Sequence, residues 1–160
     1  MANLQRAIEL AIQAHADQED DGEPYLLHPM RVMLSLGDHA SEQERIVAIL
    51  HDSVERGGLA FDTLVKAGFS KRVVRAIQLL THDKAKTSYA GYVTNLKPDP
   101  IARAVKLADL RDNAKLEHVS VRPKKWDKDA KRIQRYALSY KFLTDQLSEA
   151  DFRRLMKAAE

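Results

Sequence analysis

The chain has 160 residues, a formal net charge of +3, 44% hydrophobic and 6% aromatic residues, and no cysteine. That length suits one domain around one largely aliphatic core, and six glycines with five prolines are too few for a loop-rich β-sandwich. The missing cysteines exclude a disulfide framework, a thiolate zinc site and a cysteine nucleophile and fit a reducing cytoplasm, while the mild positive charge suits an anionic small substrate without requiring nucleic acid.

Helical periodicity runs nearly the whole length. Residues 3–16 place Leu4, Ala7, Ile8, Ala11 and Ile12 on one face, and Arg6, Glu9 and His15 break the segment too often for a signal peptide or a membrane span. No other stretch is apolar enough to cross a bilayer. A polar turn, Asp17 to Glu23, ends in Pro24. A second helix is predicted after His28, with Pro29 at its first position, where a missing N–H costs nothing. A third is predicted from about Ser41 to Glu55, opened by a Ser41/Glu44 capping box, buried along Val47, Leu50 and Val54, and stopped by Gly57-Gly58. Shorter helices follow at 61–67, 70–81 (capped by Ser70) and 86–96. Asp99-Pro100 starts a longer one, 100–114, with Ile101, Val105 and Ala108 inward. A loop from His118 to Lys125 precedes helices at 127–146 and 149–158, the latter capped by Ser148. No strand pattern, internal repeat or linker stands out. The fold class expected is all-α, a single domain of about eight to ten helices packed on one another.

Chemistry concentrates in a few places. The chain has six histidines and two His-Asp dipeptides, so the dipeptide alone says little. Position separates them. His51-Asp52 sits near the end of the apolar segment ERIVAILHDSVE, where an unpaired polar group is expensive. His82-Asp83 opens the polar stretch THDKAKTS and reads as solvated loop. Asp109 shares a helix face with Ile101, Val105 and Ala108, so its carboxylate needs a partner or a metal. His28 stands at a helix start in PYLLHPMRV. Two imidazoles and two carboxylates make either a buried hydrogen-bonded network or a mixed N/O metal site, and spacing alone does not choose between them. Such a donor set suits manganese, iron, zinc, cobalt or nickel better than calcium or magnesium. It would leave positions open for water and a phosphate oxygen.

The segments AHADQ…GEPYLLHPMRVM (14–33), ERIVAILHDSVE (44–55), GFSKRVVRAIQLLTH (68–82), SYAGYV (88–93) and PIARAVKLADLRDN (100–113) resemble, in order and spacing, the HD-domain family. The resemblance is to its small stand-alone hydrolases related to the hydrolase half of RelA/SpoT enzymes. It implies an HD-type helical bundle spanning 1–160, with a metal-site core at 4–116 and C-terminal helices at 127–158. It also implies one metal, commonly manganese, on His28, His51, Asp52 and Asp109. The implied reaction is release of pyrophosphate from guanosine 3′,5′-bis(diphosphate) or its pentaphosphate analogue. Glu55, with Asp52, takes the catalytic role of positioning or activating water, and Asn113 contacts the nucleotide. The alternatives are a surface ion pair of Glu55 with Arg56 or Arg45, and a helix C-cap at Asn113.

Two positions depart from the family. Its hydrolases read His-Asp-x-x-Glu-Asp, whereas this chain has Glu55-Arg56, with Arg56 placed either to pair with Asp52 or to reach a phosphate. The turn before Gly-Glu-Pro-Tyr, basic in the family, is Gln18-Glu19-Asp20-Asp21 here. Lys106 either bridges to Asp109 or neutralises a phosphate, and Arg31 either faces the cleft or is solvated. Tyr25, Tyr89 and Tyr92 read as packing, with base stacking as the alternative. His15, His39 and His118 carry no metal pattern. Trp126 lies in a basic run with Arg122, Lys124, Lys125, Lys128, Lys131 and Arg132, interrupted by Asp127 and Asp129, which reads as a solvated helix face. No Walker loop, dinucleotide fingerprint or serine elbow is present, and a synthetase domain has no room. Three functions therefore compete: an alarmone pyrophosphohydrolase, an HD hydrolase of another nucleotide or diphosphate, and a catalytically weak nucleotide-binding regulatory module. The partner implied is a small nucleotide; neither membrane nor nucleic acid is needed, the latter standing as a distant fourth reading, and self-association is left open.

Overall fold

A computed structural model describes residues 1–20, 22–116 and 123–159. The expectation of an all-α chain holds, with nine α-helices among the described residues. They are α1 (Leu4–Ala14), α2 (Leu27–Ser35), α3 (Glu42–Leu50), α4 (Phe61–Lys66), α5 (Lys71–Leu80), α6 (Tyr89–Leu96), α7 (Pro100–Asn113), α8 (Trp126–Leu143) and α9 (Glu149–Ala159). The starts follow local chemistry. Asn3, Ser70, Ser88 and Asp99 each accept a backbone N–H of the first turn, and Ser41 with Glu44 forms the capping box.

α3 and α7 occupy the centre. Ile46 through Leu50 are all buried, so the last turns of α3 are apolar on every side and packed against α1, α2, α5 and α7. α7 buries Ile101, Ala102, Val105, Ala108 and Leu110, and with them Lys106, Asp109 and Asp112. α8 and α9 form a hairpin whose Phe142 and Phe152 rings stack at 4.4 Å, and it closes over α6 and α7.

Four local expectations change. α3 stops at Leu50 instead of Glu55; beyond it the His51 imidazole donates to the Ala48 carbonyl and the Ser53 amide to the Leu50 carbonyl, a tighter pattern than the α-helical one. Residues 51–57 follow as tight turns. α2 begins at Leu27, so His28 and Pro29 both lie inside its first turn, where backbone N–H groups have no intrahelical acceptor. The polar turn holds a two-stranded antiparallel ribbon, Glu19 opposite Pro24 and Asp20 opposite Glu23, turned by Gly22 at φ 83°. The segment expected as loop before α8 contains a 3₁₀ turn at Pro123–Lys125; Asp21, His118 and Arg122 lie outside the described residues.

Candidate metal centre

Three helices bring the four predicted ligands together at the centre of the fold. α2 supplies His28 from its first turn, the turn that directly follows α3 supplies His51 and Asp52, and α7 supplies Asp109. A donor atom from each of His28, His51 and Asp52 lies within 4.8 Å of the others. His28 Nε2 is 3.2 Å from Asp109 Oδ1 and 3.8 Å from Asp52 Oδ2. His51 Nε2 is 3.4 Å from Asp52 Oδ2 and 3.8 Å from Asp109 Oδ1.

Both rings are oriented from behind. His28 Nδ1 bonds Asp112 Oδ2 at 2.9 Å, and Asp112 is held in turn by Arg31 Nε at 3.1 Å and Lys115 Nζ at 3.3 Å. His51 Nδ1 donates to Ala48 at 2.8 Å. With the Nδ1 hydrogens so used, both Nε2 lone pairs face the two carboxylates. His51 Nε2 is fully buried and has no hydrogen-bond partner among the described residues. A lone pair turned toward two carboxylates, with a ring fixed so that it cannot turn away, fits a cation between them.

The carboxylates are held too. Asp109 Oδ2 takes the Lys106 ammonium at 2.8 Å, and Asp109 Oδ1 takes the Asn113 amide at 2.5 Å. Asp52 Oδ2 accepts the Tyr25 hydroxyl and lies 3.8 Å from Arg56 Nε. His15, with Gln18 on Nδ1 and Ser53 on Nε2, packs against the Tyr25 ring at 5.0 Å.

The electrostatics agree. Burial disfavours the His28 cation, but hydrogen bonds to Asp109 and Asp112 outweigh it and hold the pKa up to about 9. His51 is raised in the same way, its burial overcome by the charges of Asp52 and Asp109. Asp109, opposed by burial, is held well below the usual carboxylate range by Lys106 and the two imidazoles. Asp52 is lowered against burial by His51. Burial and Asp52 push the Tyr25 hydroxyl up, so it remains a donor. A field that draws protons onto two imidazoles attracts any cation of suitable size.

The cluster forms the floor of a hollow of about 440 Å³. Glu55, Arg56, Lys106 and Asn113 line it, as expected, though Lys106 and Asn113 already spend contacts on Asp109. The exposed Glu55 has one carboxylate oxygen on the His82 amide at 2.9 Å. Arg31 does not line the hollow; its guanidinium braces Asp112 from behind.

Several residues there are missed by sequence reasoning. His82 is not solvated loop: its ring stacks on Tyr92 at 4.7 Å and reaches the hollow, while Asp83 is exposed and paired with Lys86. Tyr25 is more than packing, and Tyr89 lines the wall, whereas the Tyr92 hydroxyl is spent on the Leu80 carbonyl. The basic run is only partly a solvated face. Trp126, Lys128 and Lys131 are exposed, but Arg132, Arg135 and Tyr136 turn into the hollow, with Lys84 across from them. Their spacing, three and four residues apart on one helix face, is the signal that finds them. The floor is thus acidic and imidazole-rich, and the rim is cationic.

No family model matches the chain. It is similar to a guanosine-3′,5′-bis(diphosphate) 3′-pyrophosphohydrolase of Aquifex aeolicus, 31% identical over 121 residues, which are 70% of this chain and 17% of that protein. It is also similar to a bifunctional (p)ppGpp synthase/hydrolase RelA of Mycobacterium tuberculosis, 44% identical over 57 residues, which are 34% of this chain and 8% of that protein. The chain spans less than a fifth of the length of either relative.

Proposed function

Because the chain belongs to the RelA/SpoT-type family, we propose that it is an HD-type metal-dependent phosphohydrolase that removes the 3′-diphosphate of guanosine 3′,5′-bis(diphosphate) as pyrophosphate. The observation that carries this reading is the convergence of His28 Nε2, His51 Nε2, Asp52 and Asp109 on the floor of a hollow whose rim is cationic. His28, His51, Asp52 and Asp109 would hold one divalent ion; the donor set suits manganese, iron, zinc, cobalt or nickel, and the family resemblance favours manganese. Bound there, it would polarise a phosphoryl oxygen and lower the pKa of a water.

This chain's own groups do the rest. Glu55 is the exposed carboxylate beside the floor, oriented by the His82 amide, and takes the water's proton as its oxygen bonds to phosphorus. The bond from phosphorus to the ribose 3′ oxygen breaks, and that oxygen leaves as the 3′-hydroxyl with a proton from solvent, while Glu55 returns its own proton to solvent. Lys106 keeps Asp109 ionised and facing the floor with Oδ1. Arg56, Lys84, Arg132 and Arg135 offset substrate phosphate charge, and Asn113, at the edge of the hollow, reaches the nucleotide. Arg31 acts on the substrate only through Asp112 and His28. No helix among the described residues is long and apolar enough to cross a membrane. A cytoplasmic reaction, carried by a single domain at 1–160, is part of the same proposal.

The test is manganese-dependent pyrophosphate release, lost in Asp52→Ala and His51→Ala; release retained in both variants would refute the reading. A second reading keeps the chemistry and changes the diphosphate. It is favoured by Arg56 beside Asp52 and by the acidic ribbon Glu19–Asp20, and nucleotides assayed side by side decide between the two.

A further inference from the structure

Tyr25 touches two parts of the site at once. It is 5% exposed, and its hydroxyl donates to Asp52 Oδ2, the same oxygen that faces both imidazoles. The face of its ring carries the Arg56 guanidinium 4.9 Å from the centroid. Arg56 Nε stands 3.8 Å from Asp52 Oδ2, too far for a hydrogen bond. Gln18 Nε2 fixes the Arg56 carbonyl at 2.7 Å. The Tyr25 ring face, together with the Asp52 charge, therefore helps decide where the guanidinium stands. Among the described residues no carboxylate is within hydrogen-bond distance of that guanidinium, which lines the hollow and is 58% exposed. Its planar fork of donors is available to a bidentate phosphate contact.

We propose that Tyr25 is a positioning residue with two separable duties. Its hydroxyl sets Asp52 as a metal ligand. Its ring face sets Arg56 as the cation that takes the phosphoryl group adjoining the one at the metal. This rests on reading the cluster as the metal site of a phosphohydrolase. The arrangement ties metal affinity and phosphate affinity to one side chain through two different atoms groups, so substitutions can pull them apart.

The experiment titrates manganese into the full chain by calorimetry, and then titrates inorganic pyrophosphate into the manganese-saturated protein. Tyr25→Phe keeps the ring and removes the hydroxyl, so manganese affinity falls about 10- to 100-fold while pyrophosphate affinity stays at the wild-type value. Arg56→Met does the reverse: manganese affinity is kept or rises, and pyrophosphate affinity falls about tenfold or more. Tyr25→Leu loses both. Should Tyr25→Leu not fold, Tyr25→Phe and Arg56→Met still report the two duties separately. Unchanged manganese affinity in Tyr25→Phe would overturn the first duty. Unchanged pyrophosphate affinity in Arg56→Met, or no pyrophosphate binding by the wild type, would overturn the second. Failure to hydrolyse any nucleotide would instead refute the proposed reaction and leave both binding results standing.

Discussion

Asp112 holds His28 by its outer nitrogen, Oδ2 to Nδ1 at 2.9 Å, so the ring can present only Nε2 to the cluster. A group that touches no substrate thus sets which lone pair faces the carboxylates. Replacing Asp112 with Asn removes the charge that orients this imidazole, takes from Lys115 its anionic contact at 3.3 Å and from Arg31 its nearer one, and leaves Arg31 with Glu23 at 3.9 Å. Manganese affinity is expected to fall roughly tenfold or more, with helix content unchanged. Calorimetric titration and circular dichroism on the same samples check it.

Lys106 compensates Asp109 at 2.8 Å, and both are buried. Removing one partner of a buried pair strands the other charge, so Lys106→Met should lower the stability of the metal-free protein by about 3–5 kcal/mol. A divalent ion would compensate Asp109 in place of the ammonium. Manganese should therefore raise the melting temperature of this variant more than that of the wild type. Equal shifts in the two proteins would contradict it.

Gly57 ends the turns after His51 because nothing larger fits. A β carbon there would stand 2.6 Å from the Ser53 carbonyl oxygen and 2.7 Å from the Ala14 β carbon, closer than real contacts allow. Gly57→Ala is expected to cost about 1–3 kcal/mol and to shift the segment carrying Glu55 and Arg56. Gly58→Ala is the comparison: its β carbon meets nothing, and its cost comes only from a φ of 68°. Urea denaturation of both, with turnover assays, separates crowding from backbone strain.

Asp145 joins Lys97, at 2.9 Å, to Arg103 at the turn between α8 and α9. The hydrogen bonds from Lys97 and Arg103 hold its pKa below the usual carboxylate value. A carboxylate lowered by folding adds stability that is present above its unfolded pKa and is lost as pH falls through the folded value. Asp145→Asn, which still tolerates the φ of 62° at this position, should therefore be less stable than wild type at neutral pH. The gap should close as pH drops below about 4. Chemical denaturation at pH 7, 5 and 3 measures it.

The amino-acid sequence by itself determined the helices, because period, caps and breakers act within a few residues: Ser41 with Glu44, Ser70 and Asp99 each open a helix where expected. It also determined which polar side chains had to be explained, since His51 and Asp109 fall on apolar faces and a buried polar group needs a partner wherever the chain goes. What only the tertiary structure decided is who those partners are. Asp112 reaches His28 across 84 residues, and Tyr25 reaches Asp52 across 27. Arg132 looked like surface charge until α8 packed on α7 and turned one face, with Arg135, into the hollow. His82 looked like solvated loop until its ring stacked on Tyr92. Helix formation is governed by neighbours three and four residues apart, whereas a site is assembled by packing, and packing brings together residues whose separation in sequence carries no signal of their meeting.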